Sequence, residues 1–116
     1  MQRSPLVQSC TPLARGGLSE REALELEQVF KALADRHRVK ILNALTSGPD
    51  ETACVCDLSK MLGLAQPSVS YHLKQLLDAG LILREKRGTY SYYRLGPGAL
   101  DAVGSLLAAP PVPARA

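Results

Sequence analysis

The stretch Gln66-Pro67-Ser68-Val69-Ser70-Tyr71-His72-Leu73-Lys74-Gln75-Leu76-Leu77, followed by Asp78-Ala79-Gly80, decides how the rest of the chain is read. Val69, Leu73, Leu76 and Leu77 recur at helical spacing and give one inward face. Pro67 suits the first turn of such a helix, because the N–H it lacks has no helical partner there. The other face carries Ser68, Ser70, Tyr71, Lys74 and Gln75, each able to donate or accept a hydrogen bond. A solvated surface helix has a similar composition, so the meaning of this face rests on what flanks it.

Upstream, Val55, Leu58 and Leu62 stand at i, i+3 and i+7 and predict a short helix ending at Gly63. Two short helices joined by a glycine-containing turn match the helix-turn-helix pattern. Downstream, Leu81 to Lys86 and Thr89 to Leu95 read as a hairpin about Arg87-Gly88. Its tip, Lys86-Arg87 with Arg84 behind, is a compact cationic wing suited to flanking phosphates or a minor groove. The start of the longer helix then meets base edges, while its N-terminus and Lys74 face phosphates. The DNA-facing candidates are Gln66, Ser68, Ser70, Tyr71, His72, Lys74, Gln75, Arg84, Lys86 and Arg87. Of these, His72 adjoins the inward Leu73 and reads as a partly buried packing residue before a base contact.

Nearer the start, Ser19 and Glu22 form an S-x-x-E capping box, and Leu26, Val29, Phe30 and Leu33 predict a helix near 19–34. Asp35 caps a second helix whose Val39, Ile41, Leu42 and Leu45 face inward until Ser47-Gly48-Pro49. His37, near its start, reads as a surface or capping residue. After an acidic turn at Asp50-Glu51 comes the short helix, and beyond the hairpin Gly96-Pro97-Gly98 precedes a last helix over 99–108. The expected fold class is mostly α with a small β-hairpin, a winged helix-turn-helix. Its parts are a mobile arm over 1–18, a domain over 19–108 and a loose Pro-rich tail over 109–116.

Charge is unevenly spread over the 116 residues. Residues 19–35 hold five acids against two bases, net −3, whereas residues 60–94 hold six bases against two acids, net +4. A polyanion is steered to the second region and repelled by the first. No apolar run approaches the roughly 20 residues of a membrane span, and Met1-Gln2-Arg3-Ser4-Pro5 lacks an apolar segment behind its charge, so a cytoplasmic protein without a membrane partner is expected. No nucleophile, base and orienter set stands out, which argues against an enzyme with a small-molecule substrate. A chain this short has a modest core that a dimer interface would supplement.

Three cysteines in such a chain read as ligands or redox-active thiols rather than a disulfide framework. Cys54 and Cys56 are two apart, so they share a side of an extended segment but diverge within a helix. Joint ligation therefore needs a non-helical start to the short helix. Two small buried hydrophobes are the bland alternative, and oxidation of the thiols a second functional one.

Val29-Phe30-Lys31-Ala32-Leu33-Ala34-Asp35 with Arg38, Ile41 and Leu42, then Gln66 to Leu76 and Ala79-Gly80-Leu81, resembles the ArsR/SmtB family of prokaryotic metalloregulatory repressors over about residues 20–106. The resemblance implies a homodimer built from the first and last helices that reads an imperfect palindrome in duplex DNA, with inducer binding lowering DNA affinity. Cys54-Val55-Cys56-Asp57-Leu58 resembles the inducer segment of the family's arsenic and cadmium/lead sensors, except that Ser59 stands where the arsenic pattern has a third Cys. Trivalent arsenic and antimony favour three thiolates, and soft sulfur also suits cadmium, lead and zinc. Cys10 is the one other thiol, so As(III) or Sb(III) held by Cys10, Cys54 and Cys56 is the expected inducer, with Cd(II), Pb(II) or Zn(II) and a thiol-redox switch as alternatives.

Overall fold

The computed structural model describes residues 16–47 and 51–108. Cys10 with most of the expected arm, the turn at 48–50 and the expected tail at 109–116 lie outside the described residues. Helix α1 (Glu20–Leu33) opens on the capping box: the Glu22 backbone N–H donates to Ser19 Oγ (3.1 Å), and the Ser19 N–H donates to the Glu22 carboxylate (2.9 Å). Helix α2 (Arg36–Ser47) is started by Asp35, whose Oδ1 accepts from the N–H groups of His37 (2.8 Å) and Arg38 (3.3 Å).

The helix-turn-helix is α3 (Val55–Leu62) and α4 (Gln66–Asp78). Gly63 ends α3 in the left-handed region (φ 68°), where a β-carbon would add strain. The end of α4 is a Schellman motif: Gly80 N–H donates to Leu77 O and Leu81 N–H to Leu76 O, both at 3.0 Å, with Gly80 at φ 77°. That motif sends the buried Leu81 straight into the wing.

The wing strands are β2 (Ile82–Arg87) and β3 (Tyr90–Leu95), with Arg87 opposite Tyr90. The turn is Gly88-Thr89, one residue later than the spacing predicts. Gly88 takes the positive φ (64°) that the first position of a tight hairpin turn requires. A third strand, β1 (Thr52–Cys54), was not expected. It pairs antiparallel with β3, Cys54 opposite Tyr92, and gives the sheet order β1-β3-β2. Three residues are too few to show an alternating pattern, and the partner strand lies far along the chain, so local sequence carries no sign of it.

Helix α5 (Ala99–Leu107) completes the fold. The core joins Val29, Ile41, Leu45, Leu58, Leu73 and Leu76 with Leu81, Ile82 and Tyr93 from the wing and Val103 from α5. Leu26 on α1 and Leu106 on α5 form a second small cluster with Phe30. Val39, expected in the inward stripe of α2, is exposed; at 200° from Ile41 it falls on the opposite side of the helix.

Three helices are tied together by one guanidinium. Arg38 Nε donates to Ala32 O (2.7 Å) and Nη2 to Lys31 O (3.2 Å), satisfying carbonyls at the end of α1, while Nη1 meets His72 Nδ1 on α4 at 2.9 Å. A guanidinium only donates, so Nδ1 accepts and the His72 ring proton sits on Nε2. His72 is buried, at 9% exposure, with Asp35 Oδ1 4.0 Å from Nδ1 and the His37 and Tyr71 rings each 5.5 Å away. Burial first of all pushes the His72 pKa below its ordinary value; Asp35 pulls it up, and Arg38 and His37 push it down again. Burial raises the Asp35 carboxyl, but the two backbone N–H bonds and the charges of His72 and Arg38 outweigh it and hold it low.

Both shifts favour the unprotonated form in the fold. The unfolded chain takes up the His72 proton as pH drops below 6.5 while the folded one resists, so this stability is present above that value and lost beneath it. The urea midpoint should therefore fall between about pH 7 and about pH 5. His72→Asn keeps an acceptor for Arg38 without a titrating group and should flatten that fall; an undiminished slope in the variant would exclude His72 as its source.

Candidate nucleic-acid interface and thiol site

Alternation on α4 is set by its packing: Val69, Leu73 and Leu76 are buried, so Gln66, Ser68, Ser70, Tyr71 and Lys74 are turned outward. Gln75, expected on the same face, is half-buried. His72 does not belong to the face; it is turned inward to Arg38, because it follows Tyr71 by one helical step toward the core side. Lys74 is paired along the surface with Asp78 (3.0 Å), an exposed i,i+4 bridge of little energetic weight. The cap position Ala65 gives α4 no side-chain cap.

Arg84, Lys86 and Arg87 are all exposed on β2. The Arg87 guanidinium lies 4.6 Å from the Tyr92 ring centroid and 3.3 Å from Glu85 Oε2, contacts that orient it without burying its charge. An open cleft between helix and wing is lined by Ser70 and Lys74 on one side and Arg84 and Tyr93 on the other. The helix face and the middle of the wing therefore flank one cleft that carries cations and hydrogen-bonding groups. Tyr90, 61% exposed where β3 leaves the turn, was absent from the expected set. An aromatic beside a basic turn is the sequence signal that marks it.

The thiols sit at the junction of β1 and α3. Cys54 is the last residue of β1 and the N-cap of α3, extended at φ −94° and ψ 169°, and its Sγ accepts from the Asp57 N–H at 3.4 Å. Cys56 lies in the first helical turn and is exposed. The strand-to-helix change supplies the non-helical start that the two-residue spacing demands. Gln66 Nε2 donates to Cys56 Sγ at 3.7 Å, so the first residue of α4 reaches the second thiol. Ten residues and a turn divide Gln66 from Cys56 in the sequence, so the contact has no local signal.

Ser59 has a separate task. Its Oγ donates to Leu64 O, while its own carbonyl accepts from the N–H groups of Gly63 (2.9 Å) and Leu64 (3.3 Å), so it braces the turn between α3 and α4. Among the described residues no three His, Cys, Asp or Glu side chains cluster closely enough to hold a metal ion. Cys10 lies outside them. Sulfur donors at Cys54 and Cys56 fit a soft, thiophilic ion. No described helix is long and apolar enough to cross a membrane.

Among the described residues, α1 and α5 carry exposed apolar side chains. Leu24 and Leu107 are more than half exposed, and Leu18, Ala23, Leu26, Phe30 and Ala34 line a groove of about 450 Å³ along α1.

The family model for bacterial regulatory proteins of the arsR family matches residues 35–83. An arsenical resistance operon repressor of Bacillus subtilis is 51% identical over 69 residues, 60% of this chain and 64% of that protein. An arsenic resistance transcriptional regulator of Pseudomonas putida is 39% identical over 75% of this chain and 66% of its own length, so the chain spans just under two thirds of both these curated relatives. The arsenical resistance operon repressor of Staphylococcus aureus is 35% identical over 68% of this chain and 73% of that protein. Among solved structures, a homodimeric winged helix-turn-helix DNA-binding domain from Mycobacterium bovis superposes with a TM-score of 0.62 at 29% identity, covering 78% of this chain and 83% of that one. The antimony-specific transcriptional repressor AntR superposes with a TM-score of 0.61 at 30% identity, covering 78% and 80%. With the winged helix-turn-helix in place and relatives of this identity and coverage, the chain belongs to the arsR family of bacterial regulatory proteins.

Proposed function

We propose that the protein is a dimeric DNA-binding repressor that leaves its operator when trivalent arsenic or antimony is bound by its thiols. The observation that carries the first half is the cleft that Ser70 and Lys74 of α4 share with Arg84 of the wing, with Ser68, Tyr71, Lys86 and Arg87 exposed on the same two elements. Three wing cations and Lys74 suit a polyanion, and the hydrogen-bonding side chains of α4 suit base edges in a major groove. The uncovered apolar face of α1 and α5 suits a second copy of the chain, which sets two copies of α4 on a palindrome. The names of the relatives, arsenical resistance operon repressors and an antimony-specific repressor, support the inducer class.

The second half rests on Cys54 and Cys56 at the open junction of β1 and α3. Cys10 supplies the third sulfur. Eight residues separate it from Ser19, and at about 3.3 Å per extended residue they reach some 26 Å, enough to cross from one protomer's α1 toward the partner's α3. In exchange with arsenous acid each thiol gives its proton to a departing hydroxide, water leaves, and an As–S bond replaces As–O without change of oxidation state.

A fragment carrying the chain's own promoter should be bound as a dimer, with recognition helices about 34 Å apart and affinity falling steeply with salt. Replacing Lys86 and Arg87 by Ala should weaken specific and nonspecific binding alike, whereas Ser68→Ala, Ser70→Ala or Tyr71→Ala should relax sequence discrimination by about 1–3 kcal/mol. Absence of any salt-sensitive gel shift would refute DNA binding.

Cys10→Ser should lower arsenite affinity sharply while sparing DNA binding. In mixed dimers, a Cys10→Ser chain paired with a Cys54→Ser, Cys56→Ser chain should retain one intact site if ligation crosses the dimer. An unchanged arsenite response in the Cys10→Ser homodimer would replace the three-sulfur site with a two-thiolate or redox one.

A further inference from the structure

Cys56 and Gln66 belong to different helices of the helix-turn-helix and face different ligands, yet Gln66 Nε2 donates to Cys56 Sγ at 3.7 Å. Gln66 is exposed at the first position of α4, and α4 begins without a side-chain cap. Its carboxamide has two N–H groups and a carbonyl oxygen. With one N–H on sulfur, the other N–H and the oxygen remain available to DNA. The sulfur thus holds the amide in one orientation before DNA arrives, which removes part of the ordering cost that a free glutamine meets on binding.

The turn between the two residues is held by its own hydrogen bonds. Ser59 braces it from both its hydroxyl and its carbonyl, and Gly63 fixes its left-handed corner. Those bonds tie the end of α3 to the residues that lead into α4, a route by which a rearrangement at Cys56 can reach the start of α4. We propose that Gln66 is the positioning residue through which the ligation state of Cys56 sets DNA affinity. The inference rests on the repressor reading above. With the thiol free, Gln66 is held for the groove. With the sulfur lone pair committed to a soft ion and the side chain drawn toward Cys54, the amide loses its acceptor and α4 begins with an unrestrained side chain.

The experiment is a linkage cycle on the full chain. Operator affinity is measured with and without saturating arsenite, and arsenite affinity with and without operator, for wild type and Gln66→Ala. An ordinary allosteric coupling changes affinity about 5–150-fold. In Gln66→Ala that ratio should shrink toward one, while arsenite binding by the DNA-free protein stays within about twofold of wild type. A variant with the full wild-type ratio overturns the inference and leaves the repressor reading intact; a wild type that keeps its DNA under arsenite overturns both. Because Gln66→Ala also removes a candidate DNA contact, a second readout uses DNA-free protein. The ¹⁵N resonance of the Gln66 side-chain amide should move on arsenite addition, and should stay fixed in Cys56→Ser. No movement in wild type overturns the inference even if the variant no longer binds DNA.

Discussion

The contact on which the arrangement depends is the Arg38 guanidinium, which fastens the end of α1 to His72 on α4. Hydrogen bonds to a charged donor are worth more than neutral ones, and here three diverge from one rigid fork. Without it Ala32 O loses its 2.7 Å donor, Lys31 O is left to the Ala34 N–H at 3.3 Å, and the buried His72 Nδ1 loses its partner. The same group thereby closes a helix and fixes the angle at which the polar side of α4 leaves the core. Lysine, with a single point charge, does not span three acceptors in this geometry.

Around that tie the sheet joins the two ends of the site. β3 is central, paired on one edge with the wing strand β2 and on the other with β1, whose last residue is Cys54. Cys54 stands opposite Tyr92, and Tyr92 carries the Arg87 guanidinium on its ring. A short chain of named contacts therefore runs from the thiol junction to the wing tip, beside the one that runs from Cys56 to α4.

Most of the architecture is legible in the sequence because it is written locally. The Ser19–Glu22 box, the Asp35 cap, Gly63, Pro67 and the apolar spacing of Val69, Leu73 and Leu76 each act within a turn or two of chain. The strand β1, the Arg38 partner of the inward His72 and the Gln66 to Cys56 contact were not legible, since each depends on a partner brought in by tertiary folding. For the site the division is similar. The exposed residues of α4 and the wing follow from periodicity, whereas what Ser59 does follows only from the turn it braces. Cys10, placed in the ligand set by donor counting, lies outside the described residues.

The choice of sulfur to cap α3 has an evolutionary consequence. Serine, threonine, aspartate and asparagine oxygens are the preferred acceptors at an N-cap, so the Cys54 thiol holds the Asp57 N–H where an oxygen would do so better. Cys56 is exposed and adds nothing to the core. Drift without selection for the thiols would thus run downhill in energy toward a more stable and unresponsive helix start. The same independence from the core leaves the ligand set free to diversify: donors at this junction can be exchanged, lost or regained without repacking the domain.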